Sequence, residues 1–377
     1  MGLRVAWLGQ RSDGPGDGLV TYSREITRSL RRRGADVVFV HHDAGSAGPS
    51  SPALVSLPLG SRLRIAAPGS GRRLAELLRR ERPDVVHVSL SFSSLDISIP
   101  SLCHELGIPV AATFHAPFGS GSPMWAGLAR ILYQLYALPL ARYDRVIVFG
   151  PAQRRLLAGL GVPDAAIRVV PNGVDVNRYR PGPSDWRERL GARRLFAYLG
   201  RLDREKNVDV LVDAFLAVDP PVDVRLALAG GGSERARLER RARDPRVALL
   251  GPIAEEEERI GLLRAADALF LPSAIEGLSL ALLEGMACGT CPVATDVGCD
   301  GDAVRGAGIV LDPVDLPAQL RLAIRLLIGS PHIAAHLGRL ARERAVDRYT
   351  LAANVDSLLD IYAEMQVRRG PRTAPAG

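Results

Sequence analysis

Short β-branched apolar runs alternate with helical patterns from the first residues of the chain, an order that forces parallel strands joined by crossover helices. RVAWL opens as a strand, TYSREITRSLRRR follows as an amphipathic helix stopping at Gly34, and DVVFV is the second strand. DVVHVSL and PVAATFH follow as further strands, and RVIVF closes this first sheet. VVPNGVDVNRYRPGPSDW is dense in Pro, Gly and Asn without a period, and reads as a connection between domains. LFAYLG restarts the alternation, with a helix from about Asn207 to Ala217. VRLALAGGG, VALLG, ALFLPS, CPVAT and GIVL then follow as short strands buried on both faces. Arginine-rich helices at ERARLERRAR and at the end, in ARERAVDRYTLAANVDSLLDIYAEM, complete the set.

The pattern predicts an α/β protein of two Rossmann-like parallel-sheet domains facing across a cleft. Residues 1–175 form the first and 176–350 the second; 351–367 is a helix packing back on the first, and 368–377 a tail too polar to order. In such sheets ligands bind outside the carboxyl ends of the strands, so the cleft is the place to look for chemistry.

A chain of 377 residues with 47% hydrophobic content has material for two cores. No apolar run approaches the roughly 20 residues that span a bilayer, and the opening MGLRVAWLGQ reads as a strand rather than a signal peptide, so a cytoplasmic location is expected. Cys103, Cys288, Cys291 and Cys299 are too few for a disulfide framework and read as buried reduced thiols; the CxxC of Cys288 and Cys291 lacks the further ligands zinc needs. Through Arg180 there are 22 arginines and 13 acids, a charge of +9; the remainder holds 26 basic and 28 acidic residues, a charge of −2, giving the overall +7. A basic half attracts anionic partners, and aromatic residues at 5% give no stacking platform for nucleic acid. An anionic membrane surface therefore ranks first as a macromolecular partner, against the plainer alternative of solvated arginine faces.

Lys206 is the only lysine in the sequence. Its compact ammonium suits phosphate oxygens reached at an angle a planar guanidinium does not fit. In YLGRLDREKN, Arg201 follows the strand-ending Gly200, and Lys206 stands at the start of the next helix. Two cations beside a helix N-terminus neutralise a diphosphate and stabilise it further as it leaves. A surface ion pair of Lys206 with Asp203 or Glu205 is the structural alternative.

The stretch EGLSLALLEGMACG follows the strand ALFLPS. Ser279 is placed to cap a helix that ends at Gly289, leaving the amides of Gly277, Leu278 and Ser279 free for a phosphate. Glu276 in the loop can accept hydrogen bonds from sugar hydroxyls, and Glu284, inside the helix on an apolar face, can reach a ribose diol.

Together these residues resemble the retaining glycosyltransferases of family four, which have the GT-B fold. The resemblance covers nearly the whole chain and rests on VVPNGVD, on Arg201 with Lys206, on the E-x7-E pair Glu276 and Glu284, and on the following MACG. It implies an acceptor-side first domain and a nucleotide-sugar-binding second domain. Arg201 and Lys206 then lie on the donor diphosphate, Glu276 on the sugar, Glu284 on the ribose and backbone near Ile253 on the base. It also implies metal-independent hexosyl transfer with retention and no cofactor beyond the donor, a UDP-sugar being favoured. Gly18, in RSDGPGDGLVTYSRE with Gly16 and Asp17 before a Thr21 cap, stands for the family's glycine-rich loop. His115, in ATFHAP, matches its active-site histidine.

AWLGQRS, HVSLSFSSLDISIP, ATFHAPF and LYQLYALPLARYDRVIVF are also similar to bacterial lipid galactosyltransferases of the digalactosyldiacylglycerol synthase type. That similarity implies a glycoglycerolipid acceptor and peripheral attachment to the cytoplasmic face of a membrane. The arginines Arg28, Arg31, Arg32 and Arg33, with Arg72, Arg73, Arg79, Arg80 and Arg82, are the expected docking charges. A soluble acceptor such as an aminocyclitol, a sugar phosphate or a natural product stays open, as does a nucleotide-sugar epimerase of the same architecture. A noncatalytic nucleotide-sugar-binding subunit is disfavoured because Arg201, Lys206, Glu276 and Glu284 are all present. A nicotinamide enzyme is disfavoured by the lack of a GxGxxG with its distal acid. The DxD of Asp300 and Asp302 reads as a turn in which Asp302 caps a helix, not as a metal site.

Overall fold

The computed structural model describes residues 2–10, 18–43, 53–59, 63–90, 93–115 and 123–367. The first sheet contains β1 (Arg4–Gln10), β2 (Asp36–Asp43), β3 (Ala53–Leu59), β4 (Leu63–Ala66), β5 (Val85–Ser89), β6 (Val110–Thr113), β7 (Arg145–Val148) and β8 (Ile167–Val169). Its order is β4-β3-β2-β1-β5-β6-β7-β8, parallel except for the β3–β4 pair. The sequence pattern lacks β8, which lies past the strand expected to close the sheet, and it also lacks that edge hairpin. The hairpin is short, carries Pro58 and has no helical crossover, and an antiparallel edge on a parallel sheet needs none. The helices are α1 (Gly18–Arg32), α2 (Ser70–Glu81), α3 (Leu95–Glu105), α4 (Pro123–Leu140) and α5 (Pro151–Gly159).

The second sheet holds the six strands read from the sequence: β9 (Arg194–Leu199), β10 (Val224–Ala229), β11 (Val247–Gly251), β12 (Ala268–Leu271), β13 (Cys291–Thr295) and β14 (Ile309–Leu311). All are parallel, in the order β11-β10-β9-β12-β13-β14. Around them lie α6 (Trp186–Arg189), α7 (Val208–Val218), α8 (Arg235–Arg241), α9 (Glu256–Ala265), α10 (Leu280–Cys288), α11 (Asp300–Val304), α12 (Leu316–Gly329) and α13 (Pro331–Arg348). Strand order reverses between β1 and β5 and again between β9 and β12, so each sheet opens a crevice at its carboxyl edge.

Alternation along the first sheet separates its two faces. Val5, Trp7, Val37, Val85 and Ile147 pack under α1 and the last helix, α14 (Leu351–Val367). Ala6, Leu8, Val86, Val110 and Val146 pack under α2, α3, α4 and α5. The terminal helical stretch is interrupted at Tyr349 and Thr350, between α13 and α14. There the chain crosses back beside the interdomain connection: Val174 N donates to Tyr349 O at 2.8 Å and Leu351 N to Val174 O at 2.9 Å. Only glycine fits at 173, since a Cβ there would lie 2.7 Å from Leu351 Cα. α14 then buries Val355, Leu358 and Tyr362, and the Tyr362 hydroxyl hydrogen-bonds His87 Nδ1 at 2.7 Å. Among the described residues no helix is long and apolar enough to cross a membrane.

Candidate functional site

β9 delivers Gly200 and Arg201 to the mouth of the cleft, where β10 ends at the same level. A Cβ on Gly230 would lie 1.8 Å from Gly200 O, so the two loops touch through bare backbone. Arg201 pairs with Asp203 and, at 3.1 Å, with Glu205. Lys206 stands not in the next helix but in a single 3-10 turn before it, Arg204–Lys206. The turn ends because Asn207 takes a left-handed φ of 51°, and Asn207 Nδ2 ties it to Pro272 O at 3.0 Å. Lys206 Nζ donates to Glu276 Oε1 at 2.5 Å, so its carboxylate partner is neither Asp203 nor Glu205. Ser273 Oγ donates to the same Glu276 oxygen at 2.9 Å.

α10 is built as the sequence implied: Ser279 Oγ accepts from Leu282 N at 3.3 Å, and Gly289, at φ 80°, closes the helix. One of the three amides expected to be free is taken, because Ser279 N donates to Asp300 Oδ1 at 2.8 Å. Asp300 is buried, and burial followed by the Glu276 charge pushes its carboxyl well above the usual range. The expected capping role of Asp302 is corrected too. Cys299 precedes α11, and Asp300 and Asp302 lie in its first turn. Among the described residues no group of three His, Cys, Asp or Glu side chains could hold a metal ion. All four cysteines are free and buried, with burial pushing Cys288, Cys291 and Cys299 up to about 12.

A cavity of about 1190 Å³ opens between the domains, and Gly18, Gly200, Arg201, Ile253 and Glu284 all line it. The Ile253 carbonyl, proposed to read a base, accepts from Arg259 Nη1 at 3.1 Å. Glu284 is raised to about 7 by burial, against the opposing Arg259 charge and the neighbouring Tyr179. Lys206, Glu276, Gly277, Leu278, Ser279 and His115 lie outside that lining. Gly277, Leu278 and His115 belong to the adjoining contact between domains, where a Cβ on Gly277 would meet His115 O at 3.6 Å and Phe149 Cδ2 at 3.5 Å. Asn172 Nδ2 donates to Leu278 O at 2.7 Å across the same junction.

On the first domain, His115 follows β6, with Nε2 hydrogen-bonded to Ser89 Oγ at 3.0 Å and the ring edge-on to Tyr22 at 4.7 Å. Burial lowers His115 to about 3, so the ring is neutral at ordinary pH. Behind it the Tyr22 hydroxyl meets Thr113 Oγ1, which in turn meets His87 Nε2 at 2.8 Å. Gly18 is the first residue of α1, which places Thr21 inside the helix rather than at its cap. Gly16 and Asp17 lie outside the described residues, as does the tail 368–377.

The two arginine groups expected to dock together lie on opposite faces of the first sheet. Arg28, Arg31 and Arg32 of α1 line the cleft cavity, and Arg33 pairs with Asp356 of α14. Arg72, Arg73, Arg79 and Arg80 are exposed on α2, across the sheet.

Sequence reasoning missed the group at the waist of the cleft. Arg178 Nη2 donates to Glu25 Oε2 at 2.6 Å and Nη1 to Glu256 Oε2 at 3.0 Å. Tyr179 OH donates to the other Glu256 oxygen at 3.0 Å. The partners are separated by 153, 78 and 77 positions along the chain, so no local spacing could announce them.

Residues 16–178 match Glycosyltransferase Family 4 and residues 193–330 match Glycosyl transferases group 1. The chain is 31% identical over 326 residues to the GDP-mannose-dependent alpha-(1-6)-phosphatidylinositol dimannoside mannosyltransferase of Mycobacterium tuberculosis, covering 82% of this chain and 81% of that one. It is 28% identical to the D-inositol 3-phosphate glycosyltransferase of Thermobispora bispora, over 98% of this chain and 95% of that protein. Its fold matches the sucrose-phosphate synthase of Thermosynechococcus elongatus with a TM-score of 0.78 at 22% identity, over 97% of this chain and 100% of that one.

Proposed function

The chain belongs to glycosyltransferase family four, and from that premise we propose that it moves a hexose from a UDP-sugar to a glycolipid hydroxyl, with retention and without a metal. Transfer from a nucleotide sugar follows from the family; the sugar, base, acceptor and residue roles are our reading. The observation that carries it is the pairing of Arg201 and Lys206 with carboxylates at the ends of β9 and β12. Both cations are desolvated in part and held in place, and an incoming diphosphate offers them a doubly charged partner instead.

In this mechanism Arg201 and Lys206 stabilise the leaving diphosphate, whose oxygen removes the proton of the acceptor hydroxyl on the face the leaving group vacates. Glu276, released from Lys206, accepts hydrogen bonds from the sugar. Glu284 takes the ribose diol, and Gly18, Gly200, Gly277 and Leu278 bring backbone close to the phosphates. Ile253 lies beside the base. Neutral His115 borders the sugar, where an uncharged ring can donate or accept without repelling positive charge developing at the anomeric carbon.

A lipid acceptor is supported by the outer face of α3 and α4. Ile131, Leu135 and Leu138 recur at helical spacing along one side of α4 and are all exposed, with Ile97 of α3 exposed nearby in the same layer. The α2 arginines flank that layer, the combination expected of a surface resting on anionic headgroups. A second reading, a GDP-mannose donor with an inositol-bearing acceptor, is favoured by the Mycobacterium tuberculosis relative.

The test is a panel of UDP- and GDP-sugars against a lipid extract and a soluble acceptor pool, scored by released nucleotide and product mass. Nucleotide release that depends on lipid supports the proposal. Release with soluble acceptors alone, or sugar isomerisation without acceptor, contradicts it.

A further inference from the structure

Arg178 belongs to neither sheet, lying in the connection between β8 and α6, yet it bonds one carboxylate from each domain. Glu25 comes from α1 in the first domain and Glu256 from the first turn of α9 in the second. All three side chains are largely shielded from water, with 22%, 15% and 31% of their areas exposed. The backbone carrying Arg178 is fixed, since Asp175 Oδ1 accepts from Asn177 N at 3.1 Å and from Arg178 N at 3.3 Å. A rigid turn therefore aims a planar fork at two acids that only a closed cleft brings together.

The next residue extends the group to the nucleotide end of the cavity. Tyr179 is buried, and its one hydroxyl proton is donated to Glu256, with Glu284 alongside. Glu25, Arg178, Tyr179, Glu256 and Glu284 all border one small cavity of about 20 Å³, too small to admit more than a single water. The proposed ribose carboxylate and the junction of the domains therefore share one enclosed space.

We infer that Arg178 is a positioning residue that clasps the two domains through Glu25 and Glu256, and that nucleotide held at Glu284, beside Glu256, tightens the clasp. The inference rests on the donor site proposed above. A ribose diol that donates to Glu284 spreads that carboxylate's charge and eases its repulsion of Glu256, which leaves Glu256 to hold the guanidinium. Donor binding then brings β9 and β12 against the His115 side of the cleft, where transfer takes place.

The test uses the full-length protein with UDP and GDP as probes, donor kinetics, and small-angle scattering with and without nucleotide. Glu25 touches no donor group in this scheme, so Glu25→Gln is the decisive variant. We expect it to raise the donor KM at least 5-fold with a smaller change in kcat, and to abolish the nucleotide-dependent contraction seen for the wild type. Arg178→Ala should do the same, the double variant adding little, and Arg178→Lys should restore part of the contraction. If the wild type binds nucleotide yet Glu25→Gln contracts and turns over normally, or the two substitutions act additively, the clasp is overturned while the donor site stands. A wild type that binds neither nucleotide overturns both.

Discussion

Lys206 and Glu276 neutralise each other across the crevice between β9 and β12, with 16% and 15% of their side chains exposed. Neither is a surface charge with a chance neighbour. The lysine arrives from a turn pinned by Asn207 and the glutamate from a loop held by Ser273, so both groups are pre-positioned for a ligand that separates them.

Lys206→Ala should lower kcat/KM by roughly 10²–10³, the usual cost of one oriented electrostatic group at a developing charge. Lys206→Arg should recover little of it, because a guanidinium does not fit the short reach to Glu276. Steady-state kinetics on the preferred donor checks both.

Glu284 gives a pH dependence of known sign. Its folded-state value of about 7 lies above the ordinary 4.5, so the folded protein holds an extra proton between those values and loses stability as pH rises through that window. Glu284→Gln removes the cost of burying the charge. Its melting temperature should exceed that of the wild type at pH 8 and converge with it near pH 4. Donor affinity should move oppositely: wild-type KM falls as pH rises through 7, and the glutamine variant shows a uniformly high, flat KM.

His115, held near 3 by burial, does not titrate between pH 5 and 8. His115→Ala should lower kcat without changing the shape of its pH profile over that range. A limb near pH 6.5 in the wild type that disappears in the variant would show the histidine to be charged in turnover.

Much of this molecule was legible in its sequence, and the limits have physical causes. The six strands of the second sheet could be read because each is a short, mainly apolar run, four of them running straight into Gly or Pro, as burial on both faces demands. The β3–β4 hairpin could not, since Pro58 and an edge position remove the pattern. The break between α13 and α14 is set by pairing with Val174, which helical periodicity does not register. Lys206 announced itself by composition, but its partner Glu276 is 70 positions away. The proton on Ser279 N went to Asp300, a residue whose DxD setting suggested only a turn.

Vesicle binding separates the two arginine groups. Leu135→Asp with Leu138→Asp, both exposed positions, should abolish sedimentation with anionic vesicles while leaving nucleotide binding intact. Arg28→Ala with Arg32→Ala, in the cleft, should leave sedimentation unchanged. A change from dimer to monomer in the leucine variant, without any vesicle binding by the wild type, would assign the apolar stripe to self-association instead.

The diphosphate clamp is tested most directly by calorimetric titration of UDP and GDP into the wild type, Arg201→Ala and Lys206→Ala. We predict that one of the two nucleotides binds the wild type and binds each variant at least tenfold more weakly, with folding preserved. Absence of binding by either nucleotide, or equal affinity in all three proteins, would contradict the assignment of these cations to a donor diphosphate.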